Sequence, residues 1–204
     1  MSGREVELAR LVAGVRRMID VANATVTPAL SLREAAEHLE PTVDRLEGMV
    51  PDPVPPRLAP PGDAGPPGHR NPFDVVTGVY NPIAPPVAIR HEGGDAVGEV
   101  VFGAPYEGPP GRVHGAVLVG VFDMVFSSAN SAAGTTGPTA SLRIHYEAAT
   151  RIGVPAVFRG RRTGVDGRRI QLEGELLQGG RVTCRAAGLF IRLEPDELAR
   201  LADG

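Results

Sequence analysis

The stretch from Gly108 to Asn130, GPPGRVHGAVLVGVFDMVFSSAN, constrains this chain more than any other. It opens on a turn-rich segment, Gly108-Pro109-Pro110-Gly111, and a His114-Gly115 pair, then becomes almost wholly apolar. Val117, Val121, Phe122, Val125 and Phe126 recur at helical spacing, and Leu118 widens the stripe. A helix that is apolar nearly all round must be covered on most sides. Asp123 is the sole acidic residue in it. A carboxylate there is costly to bury unless it is paired, hydrogen-bonded or used. It is either a surface Asp at the edge of a partly buried helix or a reactive carboxylate in a pocket. A helix start favours negative charge nearby.

The flanking sequence says what can provide cover. Residues Glu5 to Asn23 read as an amphipathic helix, with Leu8, Leu11, Val12, Val15, Met18 and Ile19 on one face and Arg16, Arg17 and Asp20 opposite. Ser31 and Glu34 form a capping-box pattern that opens a short second helix toward Leu39. Pro41 should end it, and Thr42 to Met49 can add a further turn or two. These helices must lie against something, as a cover or an oligomer contact. From Pro51 to Gly68, eight of eighteen residues are proline, which excludes helix and central strand. The expected division is an N-terminal helical extension at 1–50, a Pro-rich linker at 51–70 and the main domain at 71–204. The extension is expected to stand outside any catalytic machinery.

Val87–Arg90 and Ala96–Ala104 read as short strands before the central helix, with Gly94-Asp95 in the turn between them. Gly134 to Gly137 breaks that helix. Thr139–Ala148 alternates, with Leu142, Ile144 and Tyr146 on one face and Ser141, Arg143 and His145 on the other. Pro155–Val165, Arg168–Leu177 and Val182–Leu193 follow, joined by hairpin turns at Asp166-Gly167 (type I′) and Gly179-Gly180. Glu194-Pro195-Asp196-Glu197 should start a short C-terminal helix. The expected fold is α+β: a curved antiparallel sheet wrapped round one long helix, the hotdog architecture.

Charge is close to balanced, at net −3, which gives no sign of nucleic-acid binding. No uninterrupted apolar run reaches the ~18 residues of a membrane span. The mixed-charge start, MSGREVELAR, is unlike a signal peptide. The lone Cys184 excludes an internal disulfide and a cysteine zinc site, and fits a small core residue. His38, His69 and His91 sit in polar or loop contexts without metal-ligand spacing, so no metal is expected. There is no GxSxG nucleophile elbow and no phosphate loop. A cytoplasmic protein is expected.

Taken together, Tyr106-Glu107-Gly108-Pro109-Pro110-Gly111-Arg112-Val113-His114-Gly115, Asp123 nine positions on, Thr139 sixteen beyond that, and then Tyr146 resemble the hotdog-fold acyl-CoA thioesterases. The likeness is greatest to the thioesterase superfamily member 4 group within the PaaI-like set, over roughly Asn81 to Leu193. The resemblance implies hydrolysis of the acyl-CoA thioester with no resident cofactor. Gly115 would match the glycine whose N–H polarises the carbonyl. Asp123 would match the catalytic carboxylate, Thr139 the residue that positions water, and His114 a motif residue supporting the turn. Two departures stand out. Ala116 replaces a second glycine, and Gly108 stands where some relatives carry an asparagine.

The chemistry of the residues agrees with that resemblance. Thioester attack puts negative charge on the carbonyl oxygen, and a helix start offers free amide donors. A carboxylate can activate water or attack directly. Along one helix Gly115 and Asp123 lie ~12 Å apart, so one thioester cannot touch both. Two antiparallel copies of the helix across a two-fold axis would solve this, so a homodimer is expected, with a dimer of dimers left open. Arg159, Arg161 and Arg168, with Arg162 and Arg169, cluster round the Asp166-Gly167 hairpin. They are either binders of coenzyme A phosphates or a solvated hairpin end. Two other functions remain open. One is a hydratase or dehydratase of acyl thioesters, although no His follows Asp123 before His145. The other is a non-catalytic acyl-CoA-binding module.

Overall fold

The computed structural model describes residues 3–54 and 71–193. In it the apolar run is one helix, α3 (Gly115–Ala132), the third after α1 (Gly3–Ala24) and α2 (Ala29–Glu47). Six strands complete the fold: β1 (Ala88–Glu92), β2 (Asp95–Val101), β3 (Thr139–Tyr146), β4 (Pro155–Asp166), β5 (Arg169–Gln178) and β6 (Arg181–Ile191). They form one antiparallel sheet in the order β1-β2-β4-β5-β6-β3, with β1 and β3 at its edges. The sheet holds α3 on one face, as the apolar pattern requires. Although α3 is long and apolar enough to cross a membrane, it is a core helix here, with Leu118, Val121, Phe122, Val125, Phe126 and Ala129 buried.

Glycine sets how deeply α3 sits. Gly160 pairs with Gly174 across β4 and β5, and Gly188 lies further along the same face on β6. A Cβ at Gly160, Gly174 or Gly188 would lie 2.9, 2.7 or 2.7 Å from the ring of Phe126. The three glycines form a trough into which Phe126 fits, fully buried. Beside it, Phe122 meets Phe158 of β4 edge-on, with ring centroids 4.9 Å apart, a favoured geometry for aromatic pairs.

Several expectations change in the structure. The second helix does not stop at Pro41 but runs unbroken to Glu47. Pro41 removes one backbone donor, yet its surroundings are exposed, so water can satisfy the carbonyl left over. Ser31 makes no cap bond, and Pro28 occupies the N-cap position. Arg16, placed by the sequence pattern on the solvent face of α1, is part-buried and bonded to the main domain. Leu11, Val15 and Met18 are instead 44%, 38% and 47% exposed. Gly93 and Gly94 form the β1–β2 turn, both at positive φ, so the turn falls one residue earlier than expected. Asp166 pairs with Arg169. The hairpin loop is therefore Gly167-Arg168, with positive φ at glycine alone, which fits a type II′ turn and not type I′. His91 lies in β1, and its ring pairs with Ser128 of α3 at 2.9 Å. The Pro-rich segment at 55–70 and the C-terminal helix expected from Glu194 fall outside the described residues.

Gly174→Ala should destabilise the fold by about 1–3 kcal/mol, because its methyl meets both Phe126 and the Arg159 carbonyl, at 2.7 and 2.4 Å. At Gly164 the nearest atom to an added methyl is Gln171 Oε1 at 3.6 Å, so Gly164→Ala should be close to neutral. Urea denaturation of the two variants checks the contrast.

Candidate functional site

The start of α3 is built from the turn before it. Gly108 N–H donates to the Arg112 carbonyl at 2.8 Å, and Gly111 sits at φ +73°. His114 N–H donates to the Tyr106 carbonyl at 2.8 Å, and Val113 N–H to that of Thr150 at 2.9 Å. His114 then caps the helix. Its Nδ1 accepts from Ala116 N–H at 3.1 Å, while its carbonyl accepts from Val117 and Leu118 at 3.0 and 3.4 Å. Histidine is not among the preferred N-cap residues, but its ring nitrogen here does what an Asn oxygen would do. The accepting role fixes the ring with Nδ1 unprotonated.

These bonds account for the N–H groups of Ala116, Val117 and Leu118. Among the described residues the Gly115 N–H makes no hydrogen bond. It is an open donor at the positive end of an 18-residue helix. Tyr146 of β3 stands over it, donating from its phenol to the Gly115 carbonyl at 3.2 Å. The Tyr146 pKa is raised, first by desolvation and then by Cys184.

Asp123 lies two turns along α3, half-buried, on the face turned away from the core. Thr139, at the start of β3, donates from Oγ1 to Asp123 Oδ1 at 2.6 Å. The other carboxylate oxygen has no hydrogen-bond partner among the described residues. β3 therefore runs antiparallel to α3 and touches it twice, at Asp123 through Thr139 and at Gly115 through Tyr146. Between the two contacts the flank of α3 is made of Ala116, Val119 and Gly120, none fully buried. The result is a partly exposed helix flank with an amide donor at one end and a carboxylate at the other.

The structure brings together Asp123 with Thr139, and Gly115 with His114 and Tyr146. It does not bring the arginines to them. Arg159 and Arg161 alternate with Gly160, which faces α3, so they point to the opposite side of the sheet. There they pair with Glu92 at 3.5 Å and Glu173 at 3.9 Å. Arg168 bonds the Arg192 carbonyl at 3.1 Å in the hairpin. Arg162 does turn toward α3, but to its far end, where it donates to the Ala133 carbonyl at 3.0 Å. Among the described residues no three His, Cys, Asp or Glu side chains gather as a metal site.

The close fit of Tyr146 over Gly115 leads to a double-variant test. A Cβ at Gly115 would sit 2.9 Å from the Tyr146 hydroxyl and 3.3 Å from the ring carbon bearing it. Gly115→Ala should lower the melting temperature, and adding Tyr146→Phe should recover part of that loss. Thermal melts of the two single variants and the double variant show whether the effects fall short of additivity, as contacting residues should.

Three comparisons place this geometry among known proteins. The family model described as the thioesterase superfamily matches residues 110–185, the segment from the turn before α3 to β6. A thioesterase superfamily protein of known crystal structure is 31% identical, with a TM-score of 0.79, covering 90% of this chain and 94% of its own. A mutant of a hypothetical thioesterase from Streptococcus pneumoniae is 17% identical with a TM-score of 0.50, over 52% of this chain and 89% of its own. A Streptococcus mutans protein with bound acetyl-CoA is 13% identical, also at 0.50, over 52% of this chain and 88% of its own. These last two share the fold. No curated protein matches the sequence. The first likeness runs through nearly the whole of both chains: this chain belongs to the thioesterase superfamily, on the hotdog fold.

Proposed function

We propose that the chain is an acyl-CoA thioesterase that hydrolyses the thioester to a free acid and coenzyme A. The observation that carries this reading is the Asp123 carboxylate, held by Thr139 at 2.6 Å on the helix flank that begins at the open Gly115 amide. The thioester carbonyl oxygen would accept from Gly115 N–H, where the helix dipole also favours the developing negative charge. Asp123 would act through its free oxygen, either as a base on water or as the nucleophile. The C–S bond then breaks and coenzyme A leaves as its thiolate. Where Asp123 has acted as base, it returns the water's proton to the thiolate. Where it has attacked directly, water hydrolyses the resulting acyl-Asp123 anhydride to the free acid. Thr139 aims the carboxylate and offers a hydroxyl to the attacking water. Superfamily membership supports the reaction class, and the acetyl-CoA held by a protein of the same fold supports the substrate class.

The site is proposed to form between two copies of the chain. Gly115 and Asp123 are eight residues apart, or ~12 Å along the axis. The strand that spans them, β3, has its outer edge unpaired among the described strands, and an exposed edge readily takes another strand. Antiparallel pairing of β3 with its copy sets the Thr139 end beside the partner's Tyr146 end. Asp123 of one protomer would then face the helix start of the other, through one two-fold axis.

Asp123→Asn should abolish nearly all free-thiol release while leaving the fold intact, because Asn is close in shape but is neither base nor nucleophile. Thr139→Ala should cost roughly 10²-fold. An Asp123→Asn protein that keeps most of its kcat would remove the assignment.

Mixing chains tests the shared site. Gly115→Pro deletes the amide donor. Proline suits a helix start, but its Cβ would press on Tyr146 as alanine's does, so it is combined with Tyr146→Phe, and each homodimer of the two variants should be nearly inactive. Heterodimers of Asp123→Asn with the Gly115→Pro, Tyr146→Phe chain, verified by mass spectrometry, should regain one working site of two. No recovery would mean that both residues serve one chain.

A further inference from the structure

Arg16 ties the N-terminal helix to the main domain by hydrogen bonds. Arg16 Nη2 donates to the Asn81 carbonyl at 2.9 Å and to that of Gly78 at 3.3 Å. Both carbonyls belong to the irregular segment 71–87 that precedes β1. Charge-assisted bonds of this kind are about twice as strong as neutral ones. The Arg16 Nε is buried without a partner, an uncompensated cost that the two carbonyl bonds must offset. Val12, one turn earlier, is also buried.

That segment is itself tightly wound. Asp74 Oδ1 accepts from the N–H groups of Val76 and Thr77, each at 2.8 Å. A Cβ at Gly78 would lie 2.4 Å from Asp74 N, so only glycine fits there. The winding presents Val76 to α3, where a Cβ at Gly120 would lie 3.1 Å from Val76 Cγ2. Gly120 is one turn from Asp123, on neighbouring positions of the helix surface. β3 meets this flank of α3 at Asp123, and Val76 meets it one turn earlier, at Gly120.

A second line of contact reaches the helix start. α1 also packs on the short 3₁₀ turn Ala104–Tyr106. The Tyr106 hydroxyl donates to the Ile83 carbonyl at 3.3 Å, and its own carbonyl holds His114 N–H at 2.8 Å. α1 thus lies behind both the Val76 contact and the turn that exposes Gly115.

We infer that α1 is a structural part of the acyl site and that Arg16 is a positioning residue, which latches segment 71–87 so that Val76 limits the acyl end of the site. This rests on the thioesterase reading above, and it gives the N-terminal extension a part in the site that its sequence did not suggest. Val76 and Gly120 present only hydrocarbon there, so the group they limit is an apolar acyl chain. Releasing the latch lets Val76 retreat and admits longer chains.

The test measures free-thiol release by the full-length protein across straight-chain acyl-CoAs from acetyl to palmitoyl. Arg16→Ala should shift the ratio of kcat/KM for long over short chains by about 10-fold or more toward the long end, the scale on which a pocket senses added methylenes. kcat on the best short substrate should stay within a few-fold. Val76→Ala should move the profile in the same direction without touching α1, and Arg16→Lys, which keeps a charged donor, should lie close to wild type. Amide hydrogen exchange should accelerate at Gly78, Tyr80 and Asn81 in Arg16→Ala. A folded Arg16→Ala protein with an unchanged profile, or with all substrates slowed equally, overturns the inference. If wild-type protein releases no thiol from any acyl-CoA, the hydrolase reading fails. The latch is then judged by exchange alone, and unchanged exchange at those three amides overturns it.

Discussion

Everything at the site depends on how closely α3 can approach the sheet, and glycine decides that. Phe126 fills the trough made by Gly160, Gly174 and Gly188, with no side chain between its ring and the strands. Interiors packed at crystal density allow little play around such a contact. Once Phe126 is seated, the rotation of α3 about its axis is fixed by the 100° step per residue. Asp123 then emerges beside Thr139, and Gly115 beneath Tyr146. The catalytic proposal and the core packing are two readings of one helical phase.

The two ends of α3 are treated in opposite ways. At the C-terminus Arg162 donates to the Ala133 carbonyl, and Thr135 N–H donates to that of Asn130 at 3.1 Å. A positive charge there also complements the helix dipole. At the N-terminus His114 satisfies one amide and the first is left open. A helix start with an uncommitted donor is a liability for stability. An open donor at one end of this flank and a threonine-held carboxylate two turns away fit the proposed site, in which substrate supplies the missing acceptor.

Much of this was legible in the sequence, for physical reasons. The recurrence of Val121, Phe122, Val125 and Phe126 marks a helix needing cover, and period-two alternation in 139–146 marks a strand beside it. Asp123 stood out because nothing else in the run was acidic. What the pattern missed were tertiary choices. Arg16 reads as a solvent residue until two carbonyls on another segment claim it. Pro41 reads as a helix end, and continues as helix because no neighbouring element demands otherwise. The hairpin after β4 slipped by one residue because Gly167 can start the loop as readily as end it. The glycine trough was invisible for a related reason: Gly160, Gly174 and Gly188 are on three strands, and only register aligns them.

The trough also shapes how such a protein can diversify. Where Phe126 is seated, α3 rests against the backbone of three glycines, so any side chain added at those positions can only push the helix outward. Such a shift would disturb both ends of the site together. On the proposed reading, variation that preserves the reaction is channelled to the other contact on α3, where Val76 sits on the short wound segment that Arg16 bonds. A lineage could alter that contact by drift in the N-terminal helix alone, leaving Asp123, Thr139 and Gly115 untouched. Selectivity and chemistry would then be free to evolve as separate traits, inherited from separate stretches of the chain.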